Sequence, residues 1–182
     1  MNEQRLWAPW RLEYVTRCES EAEPPPEPPA WLAEADPACF LCRAAAEYDA
    51  TSGADRQLLV ADRGAHAVVV LNRYPYNNGH LLIAPRRHVG DLGQMARDEH
   101  LECIDLLAKM TRLYRRHLNA EGFNIGLNLG RVAGAGLPGH LHWHLVPRWA
   151  GDNNFMPVLA GARVITQSLN ELWEMLVGAR ES

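Results

Sequence analysis

Three histidines alternate with apolar residues in the stretch Gly139-His140-Leu141-His142-Trp143-His144-Leu145-Val146-Pro147-Arg148-Trp149. Side chains of an extended strand point alternately to its two faces, so a strand here puts His140, His142 and His144 on one face. The apolar residues between them would then face a core. Burying three imidazoles is unfavourable unless their nitrogens find partners. The stretch therefore predicts a strand that carries a site for a metal ion or an anionic substrate.

A glycine-rich loop leads into this strand, with the sequence Gly134-Ala135-Gly136-Leu137-Pro138-Gly139. Backbone N–H groups in such a loop can approach an anion without side chains in the way. Pro138 has no N–H group, so Gly136, Leu137 and Gly139 are the better donors, and Gly134 is a further candidate. Glycine loops are also common as simple turns, and that alternative remains open.

The bulk composition is that of a globular protein. The chain has 182 residues, of which 47% are hydrophobic, and a net charge of −4. No excess of basic charge favours nucleic acid, no apolar run is long enough to cross a bilayer, and the N-terminus lacks the apolar region of a secretory signal. Two of the four cysteines are closely spaced, which fits a reducing compartment. We therefore expect a cytoplasmic protein with neither nucleic acid nor membrane as partner.

Three regions differ in composition along the chain. Residues 1–18 form an arm with two tryptophans and a tyrosine, which is expected to dock on its own domain or on a partner subunit. Residues 19–38 are acidic and rich in proline, as in an exposed linker. Residues 39–182 have the length and apolar content of one folded domain with a C-terminal extension.

Apolar periodicity within residues 39–182 predicts an α+β fold, in which a mainly antiparallel five-stranded sheet packs with one long helix and a C-terminal helix. The histidine strand is its fifth strand, and the other predicted strands are Gln57–Ala61, His66–Leu71, Gly79–Pro85 and Phe123–Asn128. The predicted helices are Cys39–Tyr48, Arg97–Leu118 and Thr166–Val177, the last ending at Gly178. The expected inward face of the long helix consists of Leu101, Ile104, Ala108, Thr111, Tyr114 and Leu118.

The pattern His140-x-His142-x-His144 followed by two apolar residues resembles the signature of the histidine triad (HIT) family. The stretch Asn72–Leu82 is similar to the nucleotide-binding strands of that family. Two further stretches resemble a bacterial subgroup that includes diadenosine tetraphosphate phosphorylases: Asn128-Leu129-Gly130 with the glycine loop that follows it, and Pro147-Arg148-Trp149 with Gly151, Asp152, Asn154 and Phe155. The resemblance covers about residues 39–160.

This resemblance implies a HIT-like fold, a homodimer with joined sheets, and a nucleotidyl hydrolase or transferase acting on the α-phosphate of an adenine nucleotide or dinucleoside polyphosphate. His142 corresponds to the nucleophile, which forms a nucleotidyl-histidine, and a neutral imidazole suits that role because its ordinary pKa is about 6.5. His144 would contact a phosphate oxygen or assist the leaving group. Asn72 would lie by the ribose, Asn128 by the phosphates and Trp149 against a base. Both asparagines could instead be turn residues, and Trp149 a core anchor.

The chain departs from the family just before the triad. Many members have glutamine and serine or threonine there, and this chain has Ala135-Gly136-Leu137-Pro138. These side-chain donors to phosphate are missing, which leaves the leaving-group preference open. A nucleoside phosphoramidase and a catalytically inactive nucleotide-binding adaptor remain alternative functions.

Cys39-x-x-Cys42 supplies half of a tetrahedral metal site. Resemblance to zinc-containing members, and to the related hexose-phosphate uridylyltransferases, implies that His88 and His140 complete a structural zinc site. The first triad histidine would then be unavailable to phosphate. The resemblance also implies a catalytic role for His140, so whether it binds zinc or phosphate remains open, and the reaction requires no catalytic metal. Cys18 and Cys103 are expected to be plain thiols, and the remaining histidines ordinary, with His80 on a strand the one to examine.

Overall fold

The computed structural model describes residues 24–152, 165 and 167–180. Its elements in chain order are α1 (Phe40–Ala45), α2 (Ala54–Gln57), β1 (Val60–Arg63), β2 (Ala67–Leu71), β3 (Leu81–Pro85), α3 (Arg97–Leu118), β4 (Gly122–Leu127), β5 (Trp143–Arg148) and α4 (Leu169–Arg180). The predicted arm 1–18, linker residues 19–23 and the motif residues Asn154 and Phe155 lie outside the described part. Among the described helices, none has the length and apolar character needed to cross a membrane.

The five strands form one sheet in the order β1-β2-β3-β5-β4, and every neighbouring pair is antiparallel. This confirms the predicted α+β fold with its five-stranded antiparallel sheet. Strands β2 and β3 are buried along their whole length, as their continuous apolar sequences predict. Strand β5 lies between β3 and β4, so the triad strand has a hydrogen-bonded neighbour on each side.

The sheet separates the histidines from the long helix. Directly opposed residues of an antiparallel pair share a face, and His144 opposes Leu82 on one side and Gly126 on the other. We call the face that carries these residues the histidine face. Helix α3 packs across β2, β3 and β5, and its Tyr114 lies beside Pro147, whose odd position in β5 puts it on the opposite face.

Helix α3 has the predicted bounds, but the prediction of its inward face was only partly right. Tyr114 is buried and Leu118 packs against the core, as predicted. Leu101, Ile104 and Ala108 are exposed, with about half of the Leu101 and Ile104 side chains accessible. The buried stripe shares only Tyr114 with the predicted face and is made of Cys103, Leu106, Leu107, Met110, Leu113 and Tyr114. Both stripes are apolar at three- and four-residue intervals, so periodicity by itself does not decide which one meets the sheet.

Several predicted element bounds differ from the structure. The stretch from Gln57 was predicted as strand, but Ala54–Gln57 is helical because the N–H of Leu58 donates to the carbonyl of Ala54 at 2.8 Å. Strand β1 therefore begins only at Val60. Helix α1 ends at Ala45 rather than Tyr48.

The C-terminal helix runs through its predicted stop. Helix α4 continues past Gly178 to Arg180, so the prediction of its end was wrong. Its start is capped reciprocally, since Ser168 Oγ accepts from the N–H of Glu171 and the Glu171 carboxylate accepts from the N–H of Ser168, both at 3.2 Å. Leu172 and Leu176 are buried.

Residues 24–38 of the predicted linker lie against the domain. The Arg43 guanidinium donates to the carbonyl of Pro26 at 3.2 Å and lies 5.3 Å from the centre of the Trp31 ring. The Tyr48 hydroxyl donates to the same carbonyl. This part of the linker is therefore docked, and the boundary between residues 38 and 39 stays a prediction.

Candidate active site and metal centre

The triad straddles the start of β5. Only His144 lies in the strand, which begins at Trp143, so the prediction of one strand through all three histidines was wrong in its extent. The rings of His142 and His144 nevertheless meet, with centroids 5.0 Å apart. Leu141 and Leu145 are buried in the core, as the alternation predicts.

His142 has its proton fixed by the backbone. Its Nδ1 lies 2.8 Å from the carbonyl oxygen of His140. A carbonyl only accepts, so Nδ1 carries the proton and Nε2 keeps its lone pair. Burial lowers the pKa of His142 below its ordinary value. The ring is thus neutral with a free lone pair on Nε2, the form that the predicted nucleophile requires, and its acceptor is the carbonyl that the sequence could not identify.

His80 determines which ring nitrogen of His144 carries the proton. The N–H of Tyr76 donates to His80 Nδ1 at 3.1 Å, so the His80 proton is on Nε2. That nitrogen donates to His144 Nδ1 at 2.9 Å. His144 therefore carries its own proton on Nε2, which is buried and has no hydrogen-bond partner among the described residues. A buried donor without a partner is costly, and a substrate oxygen would satisfy it.

His80 is thus a site residue, and the expectation that it is ordinary was wrong. Burial, followed by the proximity of His144 and His142, lowers the pKa of His80 to about 3. Burial, followed by His142, lowers the pKa of His144 to about 4. Both rings stay neutral at physiological pH. The signal in the sequence was that His80 precedes Leu82 by two positions, but the pairing of Leu82 with His144 had to be known to use it.

Asn72 supports His80 from the other side. Its amide Nδ2 donates to His80 Nδ1 at 3.1 Å, and its Oδ1 accepts from the N–H of Tyr74 at 3.0 Å. The ring of Tyr76 stacks with that of His144, with centroids 5.6 Å apart. Asn72 is therefore engaged in holding the histidine pair, and its contact with a ribose stays a prediction.

The glycine loop divides into a turn and a set of free donors. The N–H of Gly134 donates to the carbonyl of Arg131 at 3.0 Å and is used by the turn. Gly136, Leu137 and Gly139 donate to no acceptor within the described residues. The side chain of Asn128 reaches the loop, since its Nδ2 lies 4.0 Å from where a Cβ of Gly134 would be. The loop thus has unpaired N–H groups where phosphate binding was predicted.

Four side chains form a candidate metal cluster. One ligand atom from each of Cys39, Cys42, His88 and His140 lies within 4.8 Å of all the others. His140 Nε2–H donates to the carbonyl of Pro85 at 2.8 Å, so its unprotonated Nδ1 faces the two sulfur atoms at 3.3 and 3.5 Å. Two thiols and two imidazoles are a donor set that suits tetrahedral zinc, and the residues present fit such an ion.

Comparisons with known proteins identify the family of this chain. The model of the HIT domain family matches residues 55–151. The chain belongs to the HIT family. An AP-4-A phosphorylase of Mycobacterium tuberculosis is 37% identical to it over 173 residues, which cover 95% of this chain and 82% of that relative.

Solved structures of the HIT family share the fold. A Zn-bound histidine triad family protein from Mycobacterium smegmatis is 25% identical, with a TM-score of 0.56 over 66% of this chain and 82% of that one. A histidine triad nucleotide-binding protein from Sulfolobus tokodaii is 23% identical, with a TM-score of 0.57 over 71% of this chain and 89% of that one. The second likeness bears on the fold alone.

In this HIT domain, the first triad histidine belongs to the metal cluster. His140 is fully buried, its Nε2 is engaged with Pro85, and its Nδ1 faces Cys39 and Cys42. Neither nitrogen is left for a phosphate. Burial raises the pKa of the Cys39 thiol to about 12, so the thiol is protonated until a cation displaces its proton.

Trp149 lies away from the triad rings. Its indole N–H donates to the carbonyl of Leu118, at the end of α3, at 2.9 Å. It lines a cavity of about 380 Å³ together with Asn77 and Asp152, and the guanidinium of Arg148 holds the pKa of Asp152 at about 2. This placement favours the core-anchor alternative for Trp149, and stacking on a base stays a prediction.

Proposed function

We propose that this HIT-family protein is a nucleotidyl hydrolase or transferase that cleaves dinucleoside polyphosphates, with diadenosine tetraphosphate as the leading substrate. The observation that carries the proposal is the pair of neutral rings with centroids 5.0 Å apart, in which His142 offers a free Nε2 lone pair and His144 a buried Nε2–H without a partner among the described residues. The mycobacterial relative, whose name states activity on AP-4-A, supports this choice of substrate.

The reaction proceeds in two displacements at the α-phosphorus. The Nε2 of His142 attacks phosphorus and forms a P–N bond, while the bond from phosphorus to the bridging oxygen breaks and releases ATP from diadenosine tetraphosphate. Orthophosphate or water then attacks the same phosphorus and breaks the P–N bond, giving ADP or AMP. The carbonyl of His140 keeps its hydrogen bond to Nδ1–H throughout and stabilises the positive charge on the ring.

Fixed donors meet the charge that develops on the phosphoryl oxygens. The Nε2–H of His144 is one such donor, and the N–H groups of Gly136, Leu137 and Gly139 are the others. Backbone donors thus replace the glutamine and hydroxyl side chains that many relatives have before the triad.

The metal cluster is proposed to hold one structural zinc ion, bound by Cys39, Cys42, His88 and His140. When bound, it supplies a fixed cross-link between α1, the segment after β3 and the triad. Four protein ligands leave no position for a reacting water, so the displacement steps belong to the chain's own groups. Metal analysis of the purified protein is expected to give one zinc per chain.

The proposed assembly is a homodimer in which two sheets join. Strand β4 is an edge of the sheet, and Ile125 on it is 45% exposed. Leu101 and Ile104 of α3 add further exposed apolar surface. An unpaired edge strand and an exposed apolar patch are both surfaces that proteins normally cover.

The free thiols of Cys39, Cys42 and Cys103 accord with a cytoplasmic protein.

Product analysis tests the proposed reaction. Purified protein is incubated with diadenosine tetraphosphate, with and without orthophosphate, beside a His142→Ala variant. ADP plus ATP formed only with orthophosphate identifies a phosphorylase, and AMP plus ATP formed without it identifies a hydrolase. His142→Ala is expected to lose at least about 10³-fold in kcat, as for removal of other enzymatic nucleophiles.

Two outcomes would contradict the proposal. Turnover by His142→Ala at the wild-type rate would exclude the nucleotidyl-histidine intermediate. Absence of turnover by the wild-type protein would exclude the dinucleoside substrate, and hydrolysis of adenosine phosphoramidate in its place would establish the phosphoramidase alternative. Tight nucleotide binding without turnover of either compound would indicate an inactive adaptor.

A further inference from the structure

Asp152 accepts four hydrogen bonds just beyond the end of β5. The Arg148 guanidinium donates through Nε at 2.6 Å and through Nη2 at 2.9 Å. Asn77 Nδ2 donates to the same carboxylate at 3.0 Å, and the N–H of Trp149 does so at 3.3 Å. Only 8% of the Asp152 side chain is exposed. An ionised carboxylate accepts and never donates, so Asp152 holds these donors together.

Asn77 connects this carboxylate to the turn between β2 and β3. Its Nδ2 also donates to the carbonyl of Pro147 at 3.2 Å, so one amide group bridges two points of the segment that ends β5. The turn packs closely at the same place, since a Cβ on Gly79 would stand 3.2 Å from Pro147 Cγ. The side chain of Asn77 therefore ties the turn to the end of the triad strand.

The same turn supplies the N–H that fixes the tautomer of His80. Tyr76, the residue before Asn77, donates this N–H to His80 Nδ1 at 3.1 Å. The N–H of His80 donates in return to the carbonyl of Asn77 at 3.2 Å. Asn72 Nδ2 also reaches His80 Nδ1, but a side-chain amide can turn over and present its oxygen. A backbone N–H can only donate, so Tyr76 is the donor that excludes the other tautomer.

We propose that Asp152 is a positioning residue for the active site, acting through Asn77 on the tautomer of His80. Asn77 holds the turn in place, and the Tyr76 N–H of that turn keeps the His80 proton on Nε2. His80 then donates this proton to His144 Nδ1. This inference rests on the proposed function, in which the Nε2–H of His144 meets a phosphate oxygen. No substrate contact is assigned to Asp152 or Asn77.

Loss of this link would change the protons of both rings. If the Tyr76 N–H moves away, His80 can carry its proton on Nδ1, with the Asn72 amide turned over to accept it. His80 Nε2 then offers a lone pair, and His144 places its own proton on Nδ1 to donate to it. The Nε2–H of His144 would be lost at the place where charge develops on phosphate. We therefore expect kcat to fall more than KM rises.

Two variants remove the link from its two ends. Asp152→Leu removes the acceptor and Asn77→Leu the donor, and each puts an apolar side chain of similar shape in its place. Asp62→Leu is the matched control, because the Asp62 side chain is also a nearly buried carboxylate, 9% exposed and paired with Lys109 at 2.6 Å. It lies on β1, which two strands separate from β5.

Three quantities are measured for each folded variant: the melting temperature, kcat and KM with diadenosine tetraphosphate, and the nitrogen-15 NMR shifts of the imidazoles. The NMR shifts report which ring nitrogen carries the proton and do not require turnover. The signals of His80 are identified by their absence from the spectrum of His80→Gln.

We expect Asp152→Leu and Asn77→Leu each to lower kcat about 10-fold, less than the roughly 10²-fold cost of losing a proton donor outright. Both should show His80 protonated on either nitrogen. The double variant should lose no more than the more affected single variant, because both changes break one link. Asp62→Leu should lower the melting temperature and change neither kcat nor the tautomer.

A folded Asn77→Leu with wild-type kcat and the His80 proton still on Nε2 would overturn the inference. An equal fall of kcat in Asp62→Leu would also overturn it, because the loss would then come from general destabilisation. Asn77 is only half-buried, so its replacement decides the question if Asp152→Leu does not fold. If the wild-type protein does not turn over diadenosine tetraphosphate, the proposed function fails, and the tautomer of His80 still tests the link.

Discussion

The three triad histidines differ in their chemistry because their second nitrogens have different partners. His140 is committed to the cysteines and to Pro85, His142 donates to the carbonyl of His140, and His144 accepts from His80. Each partner fixes which nitrogen carries the proton. One residue type at one spacing thus yields three environments, which suit the proposed ligand, nucleophile and hydrogen-bond donor.

Replacement of His80 tests this arrangement at the residue scale. His80→Phe removes the donor to His144 Nδ1, so His144 can place its proton there and lose the Nε2–H that faces the substrate. We expect kcat to fall roughly 10²-fold, the size of a proton-positioning effect, with a smaller change in KM. Steady-state kinetics with diadenosine tetraphosphate measure both.

His80→Gln is the matched variant, because its amide can still donate to His144. It should retain more activity than His80→Phe, although both replacements stand at the same buried position. Equal loss in both variants would show that His80 acts through packing rather than through its proton.

At the scale of elements, β5 brings the site residues together because it lies between β3 and β4 in the sheet. Pairing with β3 brings His144 to His80, and pairing with β4 brings the end of that strand, followed by Asn128, towards His142. Helix α3 buries one apolar stripe against the opposite face and leaves a second stripe exposed. The sheet thus carries the chemistry, and the outer surface of the helix remains available for assembly.

If the exposed stripe of α3 forms part of the proposed dimer interface, charged residues placed on it should disrupt the homodimer. Leu101→Glu combined with Ile104→Glu places two charges on the proposed interface and should convert the homodimer to a monomer in analytical ultracentrifugation. Both side chains are half-exposed, so the stability of the folded protomer should change by less than about 1 kcal/mol.

His117→Glu provides the control, because His117 is exposed at the end of the same helix and points away from Leu101 and Ile104. It should leave the sedimentation coefficient unchanged. A dimer that survives both Leu101→Glu and Ile104→Glu would place the interface elsewhere.

At the scale of the whole molecule, the buried neutral histidines make folding dependent on pH. Burial depresses the pKa of His80 to about 3 and that of His144 to about 4, whereas the unfolded chain takes up these protons near pH 6.5. Below that pH the unfolded state binds more protons, so the free energy of unfolding decreases as the pH falls. Their contribution is fully present above about pH 6.5 and is lost as the pH falls towards 3 to 4.

Urea unfolding at about pH 7 and about pH 4.5 checks this linkage. The wild-type protein should lose more stability between the two values than His80→Gln, which cannot titrate at that position. Release of a metal at low pH affects both proteins alike and cancels in the comparison. An identical pH dependence of stability in both proteins would show that the surroundings of His80 do not lower its pKa.

The sequence by itself determined the number of strands and the bounds of α3, because alternation and helical periodicity are local properties of the chain. The resemblance of its triad motif indicated the family. It also indicated the four metal ligands, through Cys39-x-x-Cys42 and the resemblance to zinc-containing HIT proteins. The structure brings those four side chains together. These results depend on spacing, which the order of residues already contains.

Only the tertiary structure decided which histidines work together and which stripe of α3 is buried. His80 lies 64 positions from His144 and meets it because β3 pairs with β5. The carbonyl of His140 could be recognised as the acceptor for His142 only once the backbone direction was known. Hydrogen bonds require position and orientation in space, and neither is fixed by periodicity along the chain.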